Sequence, residues 1–311
     1  MIRSEPREPG DGCEVGICAT GASYGVVRIV QEVLAVGGTP EVPLRNVTVV
    51  ASDCPVGVLD RLEKIADRDA RLRLVVEAQR HGKAAAINQI LRRFRSEFLV
   101  LVNADSHPES GALAELLRAI SSDESAGVVS ARPVPLARPG LASKVAGLMW
   151  TAHNECSLAL NHMGLANHSS DEMVALRRAS LETLPEGLVN DGAFLAVRAR
   201  QRGYGVKFSS RAQVGVETPV RLADAIGQRR RILFGHAEVW RRTGTMPKTM
   251  ESLLIVSPAV GVRLLVATLA RNPGLLLVLP VAAVCEVWAA LLSVWDTIMS
   301  SGRHTVWRRY T

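Results

Sequence analysis

Apolar positions along residues 13–131 recur in two alternating rhythms. Short apolar runs at 15–19, 47–51, 72–76, 98–102 and 128–131 read as strands of a buried parallel sheet. Between them, apolar residues return at helical spacing near 25–36, 56–66, 83–94 and 110–120. This repeated β-α order implies an α/β, doubly wound, mostly parallel sheet with right-handed crossovers.

The rhythm changes at Arg132-Pro133-Val134-Pro135, which interrupts regular structure. Leu141, Val145, Leu148, Met149, Ala152, Cys156 and Leu160 then fall on one stripe of a helix, which could lie on a membrane surface and is expected rather to pack on the sheet. A strand at 173–176, a helix at 191–202 stopped by Gly203, strands at 206–209 and 212–216, and a basic helix at 222–242 follow. From Ser252 the chain turns apolar. Residues 253–270 carry only Arg263 as a charge, residues 274–295 only Glu286, and Arg271-Asn272-Pro273-Gly274 between them is a turn signal.

These lengths suit two membrane-spanning helices. A mid-membrane Arg costs about 2.5–3.5 kcal/mol, and each good aliphatic residue returns about 0.3–0.6. The first segment is therefore barely favourable alone, and a hairpin is expected. Arg263 and Glu286 lie at unequal distances from the turn, so an ion pair between them needs stretched side chains. Arg241, Arg242 and Lys248 precede the hairpin, and Arg303, Arg308 and Arg309 follow it. By the positive-inside rule both flanks are cytoplasmic, which gives a multi-pass protein of the cell membrane. Trp288, Trp295 and Trp307 would mark the interfaces or the hairpin itself. The pattern also allows two helices lying in the interface or against a partner. The expected organisation is a flexible segment at 1–12, an α/β domain at 13–245, the hairpin at 250–298 and a basic tail at 299–311.

Composition fits this picture. The 311 residues are 48% hydrophobic, and the mean hydropathy of +0.15 is apolar for a soluble protein. A net charge of +7 suits phosphate ligands, anionic lipid or nucleic acid. Aromatic residues make up only 4%, which argues against a stacking face for single strands, and no nucleic-acid partner is expected. The 5 cysteines are scattered without a C-x-x-C pair, which points to a reducing compartment and away from zinc or disulfides. Residues 1–14 are charged with no apolar h-region, so no signal peptide is expected.

Two stretches carry the chemistry. The run Phe98-Leu99-Val100-Leu101-Val102 stops at Asn103-Ala104-Asp105, at the strand end where open α/β sheets bind ligands. A carboxamide and a carboxylate spaced i, i+2 can face one hard cation, or simply cap the helix that follows Pro108. The second stretch, Gln79-Arg80-His81-Gly82-Lys83-Ala84-Ala85-Ala86-Ile87-Asn88, follows a strand and opens a helix. Gly82 permits a tight turn, the Ala run allows close packing, and Arg80 and Lys83 stand at a helix N-terminus suited to anions.

The order of these strings resembles family 2 glycosyltransferases of the GT-A fold. The likeness extends through Asn190-Asp191-Gly192, Arg202-Gly203-Tyr204 and Gln228-Arg229-Arg230-Arg231-Ile232, and it covers roughly residues 13–240. A C-terminal membrane hairpin is common in that family. The resemblance implies that Asp105 binds a divalent metal, Mn²⁺ or Mg²⁺. It places Asn103 at the first position of the Asp-x-Asp motif, as a ribose contact and a poorer ligand. Asp191 matches the catalytic base. Thr20 and Gly21 match the loop that contacts the nucleotide, and Ser52 and Asp53 match its base-reading pair. Arg80 and Lys83 would lie near the nucleotide. Gln228, Arg230 and Arg231 would face the diphosphate or the acceptor, and Ile232 stands where the family keeps a Trp against the acceptor sugar. His153-Asn154 and Asn167-His168-Ser169-Ser170-Asp171 fall where the family builds acceptor contacts. His81, His107 and His236 show no metal spacing and receive no role.

The expected function is inverting transfer from a nucleotide-diphosphate sugar to a lipid, glycolipid or other membrane-proximal acceptor. Asp191, at the positive end of a helix dipole, should stay ionised. Two other readings are open. One is a nucleotidyltransferase, which would want a Gly-rich loop with Arg after the first strand, where this chain has Thr20-Gly21-Ala22-Ser23. The other is a degenerate membrane scaffold, which Asn103, Ala51-Ser52 and Ile232 would suit.

Overall fold

The first β-α units form as the apolar rhythm predicts. β1 (Gly10–Thr20), α1 (Gly25–Val36), β2 (Leu44–Ser52), α2 (Val56–Ala66), β3 (Leu72–Glu77), α3 (Lys83–Arg93) and β4 (Ser96–Asn103) follow in order in the computed structural model, which describes residues 10–21, 25–299 and His304. These four strands are parallel, in the order β3-β2-β1-β4. Thr20 lies beside Ser52, Ser52 beside Glu77, and Cys18 beside Asn103. The carboxyl ends of all four strands therefore share one edge, the ligand-binding edge of such sheets. At the opposite end, the buried Glu14 carboxylate accepts from the backbone N–H groups of Arg95 (2.7 Å) and Ser96 (3.0 Å) and fixes the start of β4 against β1.

The second half departs from a purely parallel sheet. It continues with β5 (His107–Pro108), α4 (Ala112–Ser121), β6 (Ala126–Leu136), α5 (Leu141–His162), β7 (Met173–Arg177), α6 (Asp191–Gln201), β8 (Gly205–Glu217) and α7 (Leu222–Thr243). β7 enters antiparallel between β4 and β6, and β5 pairs antiparallel with β8. The full order is β3-β2-β1-β4-β7-β6-β8-β5. β8 is one strand where two were expected. A register shift between Ser130 and Arg132 absorbs residues 209–212, of which Ser209, Ser210 and Arg211 are polar.

Two apolar layers hold the sheet. On one face Ile17, Ile29, Leu62, Leu116 and Ile120 join the strands to α1, α2 and α4. On the other, Ile87, Ile90, Leu99, Leu176 and Ala196 join them to α3 and α6, with Cys156 and Leu160 of α5. Burying each such aliphatic side chain is worth about 1.5–3 kcal/mol. The stripe predicted on α5 is buried as expected at Val145, Leu148, Cys156 and Leu160.

The membrane hairpin does not form as expected. α8 (Met250–Val256) ends at Ser257, and Pro258 opens a separate α9 (Pro258–Arg271), because proline cannot continue the ladder of the preceding helix. The 14 residues of α9 span about 21 Å. That is short of a hydrocarbon core of roughly 30 Å. Among the described residues one helix, α10 (Leu279–Ile298), is long and apolar enough to cross a membrane. It packs along α7 instead of standing free. Glu286 accepts from Arg229, not Arg263, at 2.7 and 2.8 Å. Asp296, 1% exposed, accepts from Arg230 at 2.5 and 2.6 Å and pairs with His304 at 2.7 Å. Val145, Leu148, Leu269, Val278 and Ala282 close a third apolar cluster that joins α5, α9 and α10. Residues 1–9 of the expected N-terminal segment, Ala22 and Ser23 of the first-strand loop, and Arg303, Trp307, Arg308 and Arg309 of the basic tail lie outside the described residues.

Asp296→Ala leaves the Arg230 guanidinium without its carboxylate and should cost about 3 kcal/mol. Differential scanning fluorimetry should read this as a clear fall in Tm. A helix detached from α7 would leave Tm unchanged.

Candidate active site

The strand ends gather the first group of expected residues. The Gly21 amide donates to the Asp53 carbonyl at 3.2 Å, which ties the loop after β1 to the end of β2. Asp53 is exposed and holds φ at +55°, a left-handed conformation uncommon outside glycine but tolerated by Asp. The Ser52 hydroxyl is buried and donates to Glu77, so its side chain is committed inside the sheet edge. Burial lowers the Arg80 pKa, with Asp53 opposing and Arg231 adding to the effect, so these three charges stand within electrostatic reach. Arg231 also donates to the Val189 carbonyl at 3.3 Å.

The second group centres on Lys83. Gly82, with φ at +90°, turns the chain into α3, and the small Ala84 and Ala86 let that helix sit close to the sheet. The expectation of Lys83 as a nucleotide contact gives way here. Its ammonium donates to Asp171 at 2.6 Å and lies 3.2 Å from Asp191. Asn190 caps α6 by accepting from the Ala193 N–H at 3.0 Å, which sets Asp191 at the first turn. A Cβ on Gly192 would come within 3.0 Å of the Ser169 carbonyl and 3.1 Å of the Asp171 Cβ. Any larger residue would push that segment back by a few tenths of an ångström. A Cβ on Gly235 would likewise strike the Asn190 Cβ at 2.7 Å, so α7 closes on the same point.

Burial raises the Asp191 pKa; Lys83 opposes this and Asp171 adds to it, with a net upward shift. The carboxylate is thus less acidic than the helix dipole alone implied. Its Oδ1 is buried with no hydrogen-bond partner. Burial also pushes Asp171 up, but Lys83 and Arg231 more than offset it and bring that carboxyl to about 2.

Asp105 and Asp191 belong to one continuous polar region. Glu172, next to Asp171, accepts from Asn103 Nδ2 at 3.2 Å and from the Ser106 hydroxyl at 2.9 Å. Burial, then the charges of Asp171 and Asp105, push Glu172 up to about 7. Electrostatic coupling thus runs from Asp105 to Glu172 and Asp171, and direct contacts carry it on through Lys83 to Asp191. Glu172 is the acidic neighbour that sequence reasoning missed. The pair Asp171-Glu172 precedes a strand, but only the antiparallel entry of β7 brings it to the carboxyl end of β4.

A cleft opens beside this region between α5, α7, α8 and residues 168–171. It holds about 850 Å³ of empty space, part of it open to solvent. Gln228 and Ile232 line it together with Arg229, which was not among the expected site residues. Arg230 does not; one residue on, it turns to Asp296 on α10. Arg229 sits between Glu251 (2.6 Å) and Glu286 (2.7 Å). His236, given no role from sequence, joins His168 at 3.2 Å between Nε2 atoms. His153 stands edge-on to His168 at 5.5 Å between centroids. Burial pushes His153 and His168 down to about 3 and His236 to about 4, with the neighbouring imidazole lowering the first two further. The three histidines come from α5, a loop and α7, so no spacing in the chain announces them.

Comparison with known proteins agrees with this geometry. No curated protein matches the chain. Among solved structures, the mannosyltransferase PcManGT of Pyrobaculum calidifontis, in complex with GDP-Man and Mn²⁺, superposes with a TM-score of 0.61 at 18% identity, over 97% of this chain and 89% of that one. Glucosyl-3-phosphoglycerate synthase of Mycobacterium tuberculosis, in complex with Mn²⁺, UDP and glucosyl-3-phosphoglycerate, gives 0.53 at 17% identity, over 77% and 82%. At such identities the likeness is one of fold, and it is the GT-A fold. The sequence profile of the family described as glycosyltransferase like family 2 matches residues 9–235. The chain therefore belongs to the family 2 glycosyltransferases.

Proposed function

We propose that the protein moves a sugar from a nucleotide-diphosphate donor to a hydroxyl of an acceptor held in the cleft beside Asp171, with inversion at the anomeric carbon. The observation that carries this reading is the Asp191 carboxylate. One of its oxygens is committed to Lys83, and the other is buried and unpartnered. That second oxygen suits the proton of an incoming hydroxyl, and a raised pKa suits a general base. In a single displacement the acceptor oxygen bonds to the anomeric carbon as the bond from that carbon to the diphosphate breaks. The hydroxyl proton passes to Asp191, and the nucleoside diphosphate departs. Attack from the face opposite the leaving group inverts the configuration.

Thr20, Gly21, Asp53, Arg80, Asn103 and Arg231 would face the donor, with Ser52 supporting the loop through the backbone. Asp105, with Glu172 and Asn103 beside it, fits a hard divalent cation. The donors are all oxygen, and a positive charge would offset both the burial and the repulsion from Asp171 and Asp105 that lift Glu172 to about 7. Among the described residues no cluster of three His, Cys, Asp or Glu could hold a metal alone. The remaining positions would fall to donor phosphates and water, as for other sites built on one or two carboxylates. Mn²⁺ or Mg²⁺ bound there supplies neutralisation of the departing diphosphate.

The same reading places the protein on a membrane surface. On α10, Val284, Val287, Trp288, Leu291, Val294, Trp295 and Ile298 are all more than half exposed and recur every three or four residues, opposite the face buried on α7. An outward apolar stripe with two Trp suits the lipid interface. The scattered, free cysteines of the chain suit the cytoplasmic side. A lipid-linked acceptor would then reach the cleft from the bilayer.

Nucleoside diphosphate release from the donor should require Mn²⁺ or Mg²⁺ and stop on chelation. Asp191→Asn should lower kcat by about 10²–10⁴-fold, and a wild-type rate in that variant would overturn the assignment. The acidic limb of kcat/KM should lie above the ordinary carboxylate range, because Asp191 is raised. Lys83→Met removes the charge that holds Asp191 down, so the limb should move to higher pH; a limb that stays in place argues against Asp191 as the titrating group. In flotation with vesicles containing phosphatidylglycerol, Trp288→Ser combined with Trp295→Ser should reduce the bound fraction, and unchanged flotation would remove α10 from the membrane contact.

A further inference from the structure

We infer that the group entering the acceptor cleft is an uncharged, hydroxyl-bearing ring, a sugar or polyol unit without phosphate. This rests on the reading of the cleft as the acceptor site, and it narrows what that acceptor can be. Family 2 transferases as a class do not dictate it; the walls of this cleft do.

Four charged side chains line the cleft, and three of them are held in ion pairs. The Arg229 guanidinium lies between two carboxylates and gives Glu251 and Glu286 three hydrogen bonds of 2.6–2.8 Å. Asp171 holds Lys83 at 2.6 Å. The Lys248 ammonium donates to the Leu165 carbonyl at 3.2 Å, at the exposed rim. A phosphate in the cleft would meet two clusters that each hold two carboxylates to one cation, Glu251-Arg229-Glu286 and Asp171-Lys83-Asp191, with Lys248 opposing them from the rim and Arg231 from beside Asp171, and juxtaposed like charges disfavour it.

The uncharged polar atoms point the same way. His236 and His168 share a hydrogen bond between Nε2 atoms, so one ring donates and the other accepts. The His168 tautomer that results makes its Nδ1 either a donor or an acceptor. That Nδ1, the His153 Nε2 and the Ser170 hydroxyl are all buried without partners, and all three residues line the cleft. Ser170 is 5% exposed. A hydroxyl both donates and accepts, so it satisfies any of these atoms. A phosphate dianion only accepts and an ammonium only donates. Burial keeps the three imidazoles uncharged at neutral pH, so they add no cation for an anionic acceptor.

One wall is aromatic. Trp150 of α5 lines the cleft with Ile232 of α7, and its ring stands edge-on to His153 at 5.5 Å. The indole is an apolar plane for the C–H face of a ring, next to donors and acceptors for its hydroxyls. It supplies from α5 the aromatic surface that Ile232 does not supply from α7.

The test compares hexyl β-glucoside, hexyl α-mannoside and the matching methyl glycosides with hexyl phosphate, using the full chain. Binding is read by tryptophan fluorescence against a Trp150→Phe control, and needs no donor. Transfer is read by mass spectrometry with whichever nucleotide sugar the protein turns over. The hexyl glycosides should bind and be glycosylated at least about tenfold better than hexyl phosphate. Trp150→Phe should abolish the fluorescence response to glycosides and raise their KM with little change in kcat. Glu251→Gln loosens the hold on Arg229 and should narrow the preference for uncharged acceptors. A preference for hexyl over methyl glycosides assigns the ring to a lipid-linked headgroup, and equal use assigns it to a free glycoside. Binding or transfer that favours hexyl phosphate, or that ignores both glycosides, overturns the inference. Failure to release nucleotide from any donor counts against glycosyl transfer itself and is separable, since the binding comparison still stands.

Discussion

The site depends on one buried cation. Lys83 bridges Asp171 and Asp191, and so joins three pieces of chain distant in sequence: the start of α3, the segment before β7 and the first turn of α6. Two carboxylates this close and this buried repel each other, and each alone would be costly to ionise. The ammonium makes the arrangement tolerable and divides the pair electrostatically. Asp171 falls to about 2, whereas Asp191 stays raised. A structural acid and a candidate base thus arise from two like residues by unequal sharing of one charge. Removing a member of such a triad exposes an uncompensated buried charge, so geometry and folding are coupled at this point.

The contacts around that triad make sense as support for it. Gly192 and Gly235 remove the side chains that would hold α6 away from the 169–171 segment and from α7. The Ser169 hydroxyl donates to the Gly192 carbonyl at 2.8 Å and locks the first of these approaches. Glu238 of α7 accepts from the Val189 N–H at 3.0 Å and fixes the chain just before Asn190. These contacts therefore fix the backbone on either side of Asp191.

Much of this was legible in the chain, and the parts that were not share a cause. The helices at 25–36, 56–66 and 191–202 fell close to their sequence bounds, because apolar period and caps are local signals. The strand at 173–176 was legible, but not its direction: a strand buried on both faces reads the same either way. That one ambiguity hid Glu172, whose neighbourhood with Asn103 exists only because β7 runs antiparallel to β4. The histidine cluster was hidden for a similar reason. His153, His168 and His236 each look ordinary, and only the packing of α5 and α7 against the loop brings them together. The string around Lys83 stood out in the chain, yet its cation serves two acids, because the partners of a buried charge lie elsewhere in the chain.

The C-terminal region shows how charge can overrule hydropathy. Length and apolar content made residues 253–295 read as a hairpin, with Glu286 as an anomaly inside it. In the fold Glu286 answers Arg229, and Asp296 answers Arg230, so the two acids fall at positions where α10 meets α7. A buried ion pair adds little net stability against a well-packed apolar contact, but it penalises any register that leaves a charge unmatched. Two such pairs, ten residues apart along α10, therefore fix both its position and its rotation on α7. The apolar residues that remain face outward because the charged ones must face in. Arg229, held by Glu286 on one side and Glu251 on the other, also forms part of the cleft wall. The helix that offers the apolar face thus supplies one of the two carboxylates that hold the arginine of the cleft wall.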